Sequence, residues 1–250
     1  MELIPTVGGG LIAAGAAVVA GMTGFGYALL CTPLLLALGY PPAVIVAANL
    51  SIVLLTRLAV AWQLRSWVSW RRVGSLVAGS LPGLALGARL QAVLDPETMR
   101  LVIGLAVVVV AAVMLRQPPP ALGLSPSESV GTRLATGLAG GVLGTTTSLS
   151  GVPPAFYLSR LGLDPVRFIA DLAVYFVLTN AAGLLLLACS QAIAPSALVA
   201  TTAVWLPGAL LGTALGVRLS LLLPALHFRT LVLSAAFGAG LLAVVTVLLP

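Results

Sequence analysis

The chain has 250 residues, 60% of them hydrophobic, with a mean hydropathy of +1.16. Its charges are 12 arginines and 6 acids, 7% of the sequence against about 25% in a soluble globular domain, so it cannot cover a water-facing surface. This is the composition of an integral membrane protein, and the net charge of +6, which sits in loops between apolar runs, encodes topology rather than a nucleic-acid footprint.

Charge clusters and prolines divide the chain into apolar blocks at 3–39, 43–64, 73–94, 99–115, 131–163, 167–190, 196–221 and 230–249. Runs such as Leu101 to Leu115 are nearly continuous, which predicts helices; the strands of a membrane barrel would alternate apolar and polar residues. The start, Met1 to Pro5, has no basic segment ahead of its apolar run and does not read as a cleaved signal peptide. The first block is too long for one crossing, since 37 residues of helix span about 55 Å against a hydrocarbon core of about 30 Å. Its run Gly21-Met22-Thr23-Gly24-Phe25-Gly26 predicts a broken helix or a tight hairpin.

The second block carries Asn49 and Arg57, and the third a glycine ladder, Gly79, Gly83 and Gly87, that lets helix backbones approach. A proline-rich linker follows the fourth block. The fifth block is again too long and is interrupted by Gly144-Thr145-Thr146-Thr147-Ser148-Leu149-Ser150-Gly151-Val152-Pro153-Pro154. The sixth holds Asp171 and Asn180, and the seventh repeats the ladder at Gly208, Gly212 and Gly216. Leu38-Gly39 and Pro42 recur as Leu161-Gly162 and Pro165 at an offset of 123, and the ladders and the Arg89-Leu90 and Arg218-Leu219 pairs at 129. The expected architecture is therefore all-α and polytopic: two inverted repeats, 1–116 and 131–250, each a broken helix or hairpin plus three transmembrane helices, joined by a linker at 117–130. If each broken block crosses an even number of times, Arg65, Arg71, Arg72, Arg116, Arg133, Arg160, Arg167, Arg218 and Arg229 share one side, which the positive-inside rule makes cytoplasmic.

A break in a membrane helix exposes backbone donors and acceptors, which lipid does not tolerate, so the breaks mark a buried or watery site. A half-helix that starts there aims free N–H groups and a positive dipole end inward, a cradle for an anion. The candidate substrate-binding residues are Gly21, Thr23, Gly24, Gly26, Asn49, Arg57, Thr145, Thr146, Thr147, Ser148, Ser150, Gly151 and Asn180. For the hydroxyls the bland alternative is a hydrogen bond back to a helix carbonyl. For Arg57 it is snorkelling to the interface near Arg65, and for Asp171, the one coupling candidate, an i, i+4 pair with Arg167. Trp62, Trp67, Trp70 and Tyr40 read as interface anchors, and Cys31 and Cys189 as small buried hydrophobes. The lone His227 cannot make a multi-histidine metal site, and nothing in the sequence calls for a cofactor or for enzyme chemistry.

The run Gly21 to Gly26, Thr32-Pro33, Pro41-Pro42, Asn49, Trp70-Arg71, Leu81-Pro82-Gly83, Gly151-Val152-Pro153-Pro154 and Leu161 to Pro165 together resemble the TauE/SafE sulfite exporter family, also called the TSUP family, over essentially the whole chain. The resemblance implies a multi-pass permease of the plasma (inner) membrane whose partners are the lipid bilayer and a small anion of the sulfite or sulfonate class. It leaves a homo-oligomer open. Where many members have a glycine-rich second break, this chain has Thr145-Thr146-Thr147-Ser148. A channel or carrier for another small solute, or a non-transporting scaffold, are the alternatives, and the scaffold would not explain paired breaks.

Overall fold

The computed structural model describes residues 3–116, 129–189, 195–220 and 225–248, so most of the expected linker, 117–128, lies outside the described residues. Among these residues ten α-helices follow one another: α1 Leu3–Thr23, α2 Tyr27–Ala37, α3 Pro42–Gln63, α4 Trp70–Val93, α5 Pro96–Arg116, α6 Val130–Thr147, α7 Val152–Ser159, α8 Pro165–Cys189, α9 Pro195–Ser220 and α10 Ala225–Leu248, with a 3₁₀ turn at Arg65–Trp67. The described residues contain no strand. Helices α3, α5, α8 and α9 each begin at a proline, which loses nothing at a position where the amide has no intrahelical partner. Asp95 and Asp164 accept amides of the first turns of α5 and α8, and Ser129 does the same for α6.

Among the described residues, five helices are long and apolar enough to cross a membrane: α3, α4, α5, α8 and the stretch Leu198–Leu219 of α9. Exposed leucines and valines cover the outer faces, among them Leu105 and Val109 on α5 and Leu211 and Leu215 on α9, where a bilayer rather than water is the matching solvent. The chain is a multi-pass helical membrane protein.

Both over-long blocks are hairpins with unequal arms. In the first, α1 has 21 residues and α2 only 11, and the end of α2 brings Leu38 and Tyr40 back beside Gly8 and Gly9 near the start of α1. In the second, 18 residues of α6 are followed by eight of α7, with Ser150 and Pro154 returning against Gly140. The hairpins exchange partners: α1 packs chiefly on α9, and α6 on α4. Backbone meets backbone there, so that a Cβ at Gly83 would strike the carbonyl of Leu138, and one at Gly216 that of Val18. The glycine ladders are therefore packing surfaces.

Helices α3 and α8 are the most buried of the crossing helices and form the centre. They run antiparallel, with Val46 and Leu50 beside Leu187 and Gly183 at one end and Ser69, beyond α3, bonded to Asp171 at the other. Helices α5 and α10 are antiparallel too, since Gly104 meets Val244 and Gly240 meets Val108. One expectation is corrected. Cys189, at the end of α8, is exposed rather than buried, while Cys31 is buried. Tyr40 packs edge-on against buried Trp205 at 5.4 Å, unlike the exposed Trp62, Trp67 and Trp70.

Candidate functional site

The first hairpin turns through Gly24 and Gly26, both with positive φ (79° and 95°), a region in which a side chain is strained. Gly26 is the N-cap of α2 and supplies no side-chain acceptor, so the first-turn amides from Tyr27 to Leu29 lack intrahelical partners. The second hairpin turns at Ser148, the one non-glycine residue with positive φ among those described (63°). Its short helix is poorer in donors. Pro153 and Pro154 have no N–H, and the Val152 amide is already bonded to the Leu149 carbonyl at 3.1 Å.

The two tips meet around one cleft of about 550 Å³, measured out to its opening, with α3 and α8 as its walls. Gly26 to Leu29 line it from the first tip and Ser148 to Val152 from the second; Asn49, Thr56 and Arg57 project from α3, and Phe176 and Asn180 from α8. Arg57 is 7% exposed, and one Nη donates to the Ala20 carbonyl at 3.0 Å. No described carboxylate pairs with it. It does not snorkel; it is a buried cation in the wall of the cleft.

Asn49 joins the halves. Its Nδ2 donates to Thr32 Oγ1 on α2 at 3.0 Å and to Ser148 Oγ at the second tip at 3.4 Å. On the opposite wall Ser150 Oγ donates to Asn180 Oδ1 at 3.3 Å, which leaves the Asn180 amide nitrogen available as a donor. The Tyr175 hydroxyl holds the second tip from behind, donating to the Ser150 carbonyl at 3.3 Å and touching Ser80 Oγ at 2.9 Å.

Of the sequence candidates, the structure brings Gly26, Asn49, Arg57, Ser148, Ser150, Gly151 and Asn180 to this cleft. Gly24 shapes the turn, and Gly21 packs against the α9 backbone at Thr213 and Gly216. The side chain of Thr23 lies outside the described residues. Thr145, Thr146 and Thr147 stand away from the cleft. Thr146 and Thr147 donate to the carbonyls four residues back, at 2.6 and 2.7 Å, and Thr145 donates to the Leu84 carbonyl of α4 at 2.9 Å. Asp171 is also elsewhere, fully buried at the start of α4. One oxygen accepts from Arg72 Nε at 2.7 Å and the other from the Ser69 amide at 2.7 Å, so its partner is Arg72 rather than Arg167. Phe25, Phe176 and Thr213 line the cleft without having been singled out; only the position of Phe25 within the glycine run signals it in the sequence.

The family model described as Sulfite exporter TauE/SafE matches residues 9–243. The chain belongs to that family. That family is described as one of sulfite exporters, which are transporters and not enzymes. A relative from Cupriavidus necator, described as a probable sulfite/organosulfonate exporter TauE, is 27% identical over 163 residues, which cover 64% of this chain and 62% of that protein. This chain thus spans less than two thirds of the length of the curated relative it matches. No solved structure is significantly similar to the chain.

Proposed function

We propose that this TauE/SafE protein moves sulfite or a small organosulfonate-type anion outward across the plasma membrane, binding it in the cleft between the hairpin tips. The observation that carries the reading is Arg57, a buried guanidinium in the cleft wall without a carboxylate partner among the described residues. The first-turn amides of α2, the Ser148 hydroxyl and the Asn180 amide nitrogen would complete the donor set. The printed name of the Cupriavidus necator relative supports the substrate class.

The same proposal treats residues 1–116 and 131–250 as inverted repeats. The antiparallel pairing of α3 with α8 and of α5 with α10, and the crossed packing of α1 on α9 and α6 on α4, support it. Alternating access would rock one repeat against the other around the cleft. Because both hairpins return toward the side they came from, the nine-arginine side is assigned to the cytoplasm. Export needs no coupled ion, since an inside-negative potential drives each negative charge outward by about 2.3 kcal/mol per 100 mV. The test is flux of labelled sulfite, organosulfonates and unrelated anions in proteoliposomes at a set potential. Sulfite and sulfonates should move faster than chloride and respond to voltage; equal or absent flux for all of them would refute the proposal.

A further inference from the structure

The polar groups of the cleft also constrain the charge and protonation of the anion, an inference that rests on the anion-site reading above. Arg57 is the one charged side chain among the described residues lining the cleft. A bound monoanion makes a neutral pair with it. A dianion would leave a whole negative charge without a second cation, beside Ala17, Leu50, Val53 and Phe176 and with neutral donors alone to solvate it.

Asn49 supplies an independent observation. It is 1% exposed, its Nδ2 is used on Thr32 and Ser148, and its Oδ1 has no hydrogen-bond partner although the residue lines the cleft. The Asn49 amide carries its nitrogen toward Thr32 Oγ1, at 3.0 Å, with the Thr32 hydroxyl 3.5 Å from the Thr147 carbonyl; in this orientation the oxygen has no donor. A buried acceptor without a donor is destabilising, and a bare sulfonate or sulfite oxygen would set lone pair against lone pair. An anion that brings its own O–H removes the defect.

We propose that the cleft prefers a monoanion carrying a hydroxyl donor, the hydroxyl form of hydrogen sulfite, with Arg57 matching its single charge and Asn49 Oδ1 accepting its proton in a hydrogen bond. Asn49 is then a specificity-determining residue, and the dianions sulfite and sulfate are poor ligands.

The full chain is tested in proteoliposomes without a membrane potential, with labelled sulfite and labelled methanesulfonate measured side by side and the flux of protein-free vesicles subtracted. Methanesulfonate keeps its single charge and has no O–H at any pH used. Above the second ionisation of sulfite, the ratio of sulfite to methanesulfonate flux should fall about tenfold per pH unit as hydrogen sulfite disappears. Below it, Asn49→Leu should lower that ratio about tenfold. Sulfate should compete far less well than methanesulfonate. The wild-type pH series decides even if Asn49→Leu fails to fold. A ratio that stays flat across the ionisation while both anions move, or sulfate competing as well as methanesulfonate, overturns this inference alone. Failure of both anions to move or compete overturns the anion-site reading and this inference with it.

Discussion

Replacing Arg57 with methionine keeps most of the side-chain volume and removes the charge, so affinity for the anion should fall while the stability of the empty protein holds or rises. In the proposed complex a monoanion about 4 Å from the guanidinium gains about 4 kcal/mol at an effective dielectric constant of about 20. Deleting one partner of a buried pair typically costs about 3–5 kcal/mol, which corresponds to roughly 10²- to 4 × 10³-fold in half-saturation at 1.4 kcal/mol per decade. The empty protein feels the reverse. There the guanidinium is 7% exposed and offsets its desolvation with one bond to the Ala20 carbonyl and no described carboxylate. Methionine relieves that burden, so the thermal midpoint should hold or rise. Scanning fluorimetry in detergent gives the midpoint, and concentration-dependent sulfite flux in proteoliposomes gives the half-saturation. A variant with lowered midpoint and wild-type flux would make Arg57 a strap between α3 and α1 and refute the reasoning.

Three further outcomes follow from other parts of the molecule. Asp171→Asn or Arg72→Met alone should destabilise by about 3–5 kcal/mol, while Arg72→Met combined with Asp171→Leu should recover much of the loss; denaturant or thermal unfolding checks this. Gly83→Ile, which drives a branched side chain into the Leu138 carbonyl, should abolish accumulation of folded protein, whereas Gly74→Ala in the same helix, where a Cβ meets nothing within 4 Å, should be neutral or slightly stabilising, as read by size-exclusion chromatography. The Thr98 hydroxyl, with the Thr98 and Glu97 amides, holds the Asp95 carboxyl below its ordinary range. The small stabilisation it gives α5 is present above the ordinary carboxylate pKa and is lost as pH falls through the depressed value, so midpoints of wild type and Asp95→Ala should converge in that acid window and separate at neutral pH.

The breaks were legible because glycine runs inside an over-long apolar block have a local cause: only a turn explains them, and Gly24 and Gly26 adopt the positive φ that such a turn requires. Prolines bounded the apolar blocks expected from 43, 99 and 167, and the helices begin at Pro42, Pro96 and Pro165, one to three residues earlier, because proline is tolerated in the first turn. The hydroxyl run misled where the exact end of α6 mattered. Thr146 and Thr147 still have a carbonyl four residues behind them and bond to it, whereas Ser148 and Ser150 stand beyond the last turn and reach the cleft. One residue of helix decides between the two fates, and helix boundaries are the least determined feature of a sequence. The Asp171 partner was illegible for a different reason. Spacing reveals neighbours on one helix, as with Arg167, but Arg72 lies 99 positions away and is brought to Asp171 by the packing of α4 on α8.

The two halves share a plan but not an electrostatic character, and under the proposed mechanism that difference matters. At the offset of 123, Arg57 corresponds to Asn180. The first half contributes the cation and the open first turn of α2, while the second contributes neutral hydroxyls and an amide, its short helix having lost donors to Pro153 and Pro154. An anion would then be held firmly by one half and lightly by the other, so that separating the halves exposes it without breaking its strongest contact. A cation in both halves should grip it from two sides and hinder release. Asn180→Arg is therefore expected to lower the half-saturation for sulfite and lower the maximal rate together, with the loss of rate largest at saturating sulfite, where release limits turnover. Half-saturation and maximal rate from the same proteoliposome series decide it. A variant that folds and transports with raised half-saturation and an unchanged maximal rate would show that the charge difference between the halves has no part in turnover.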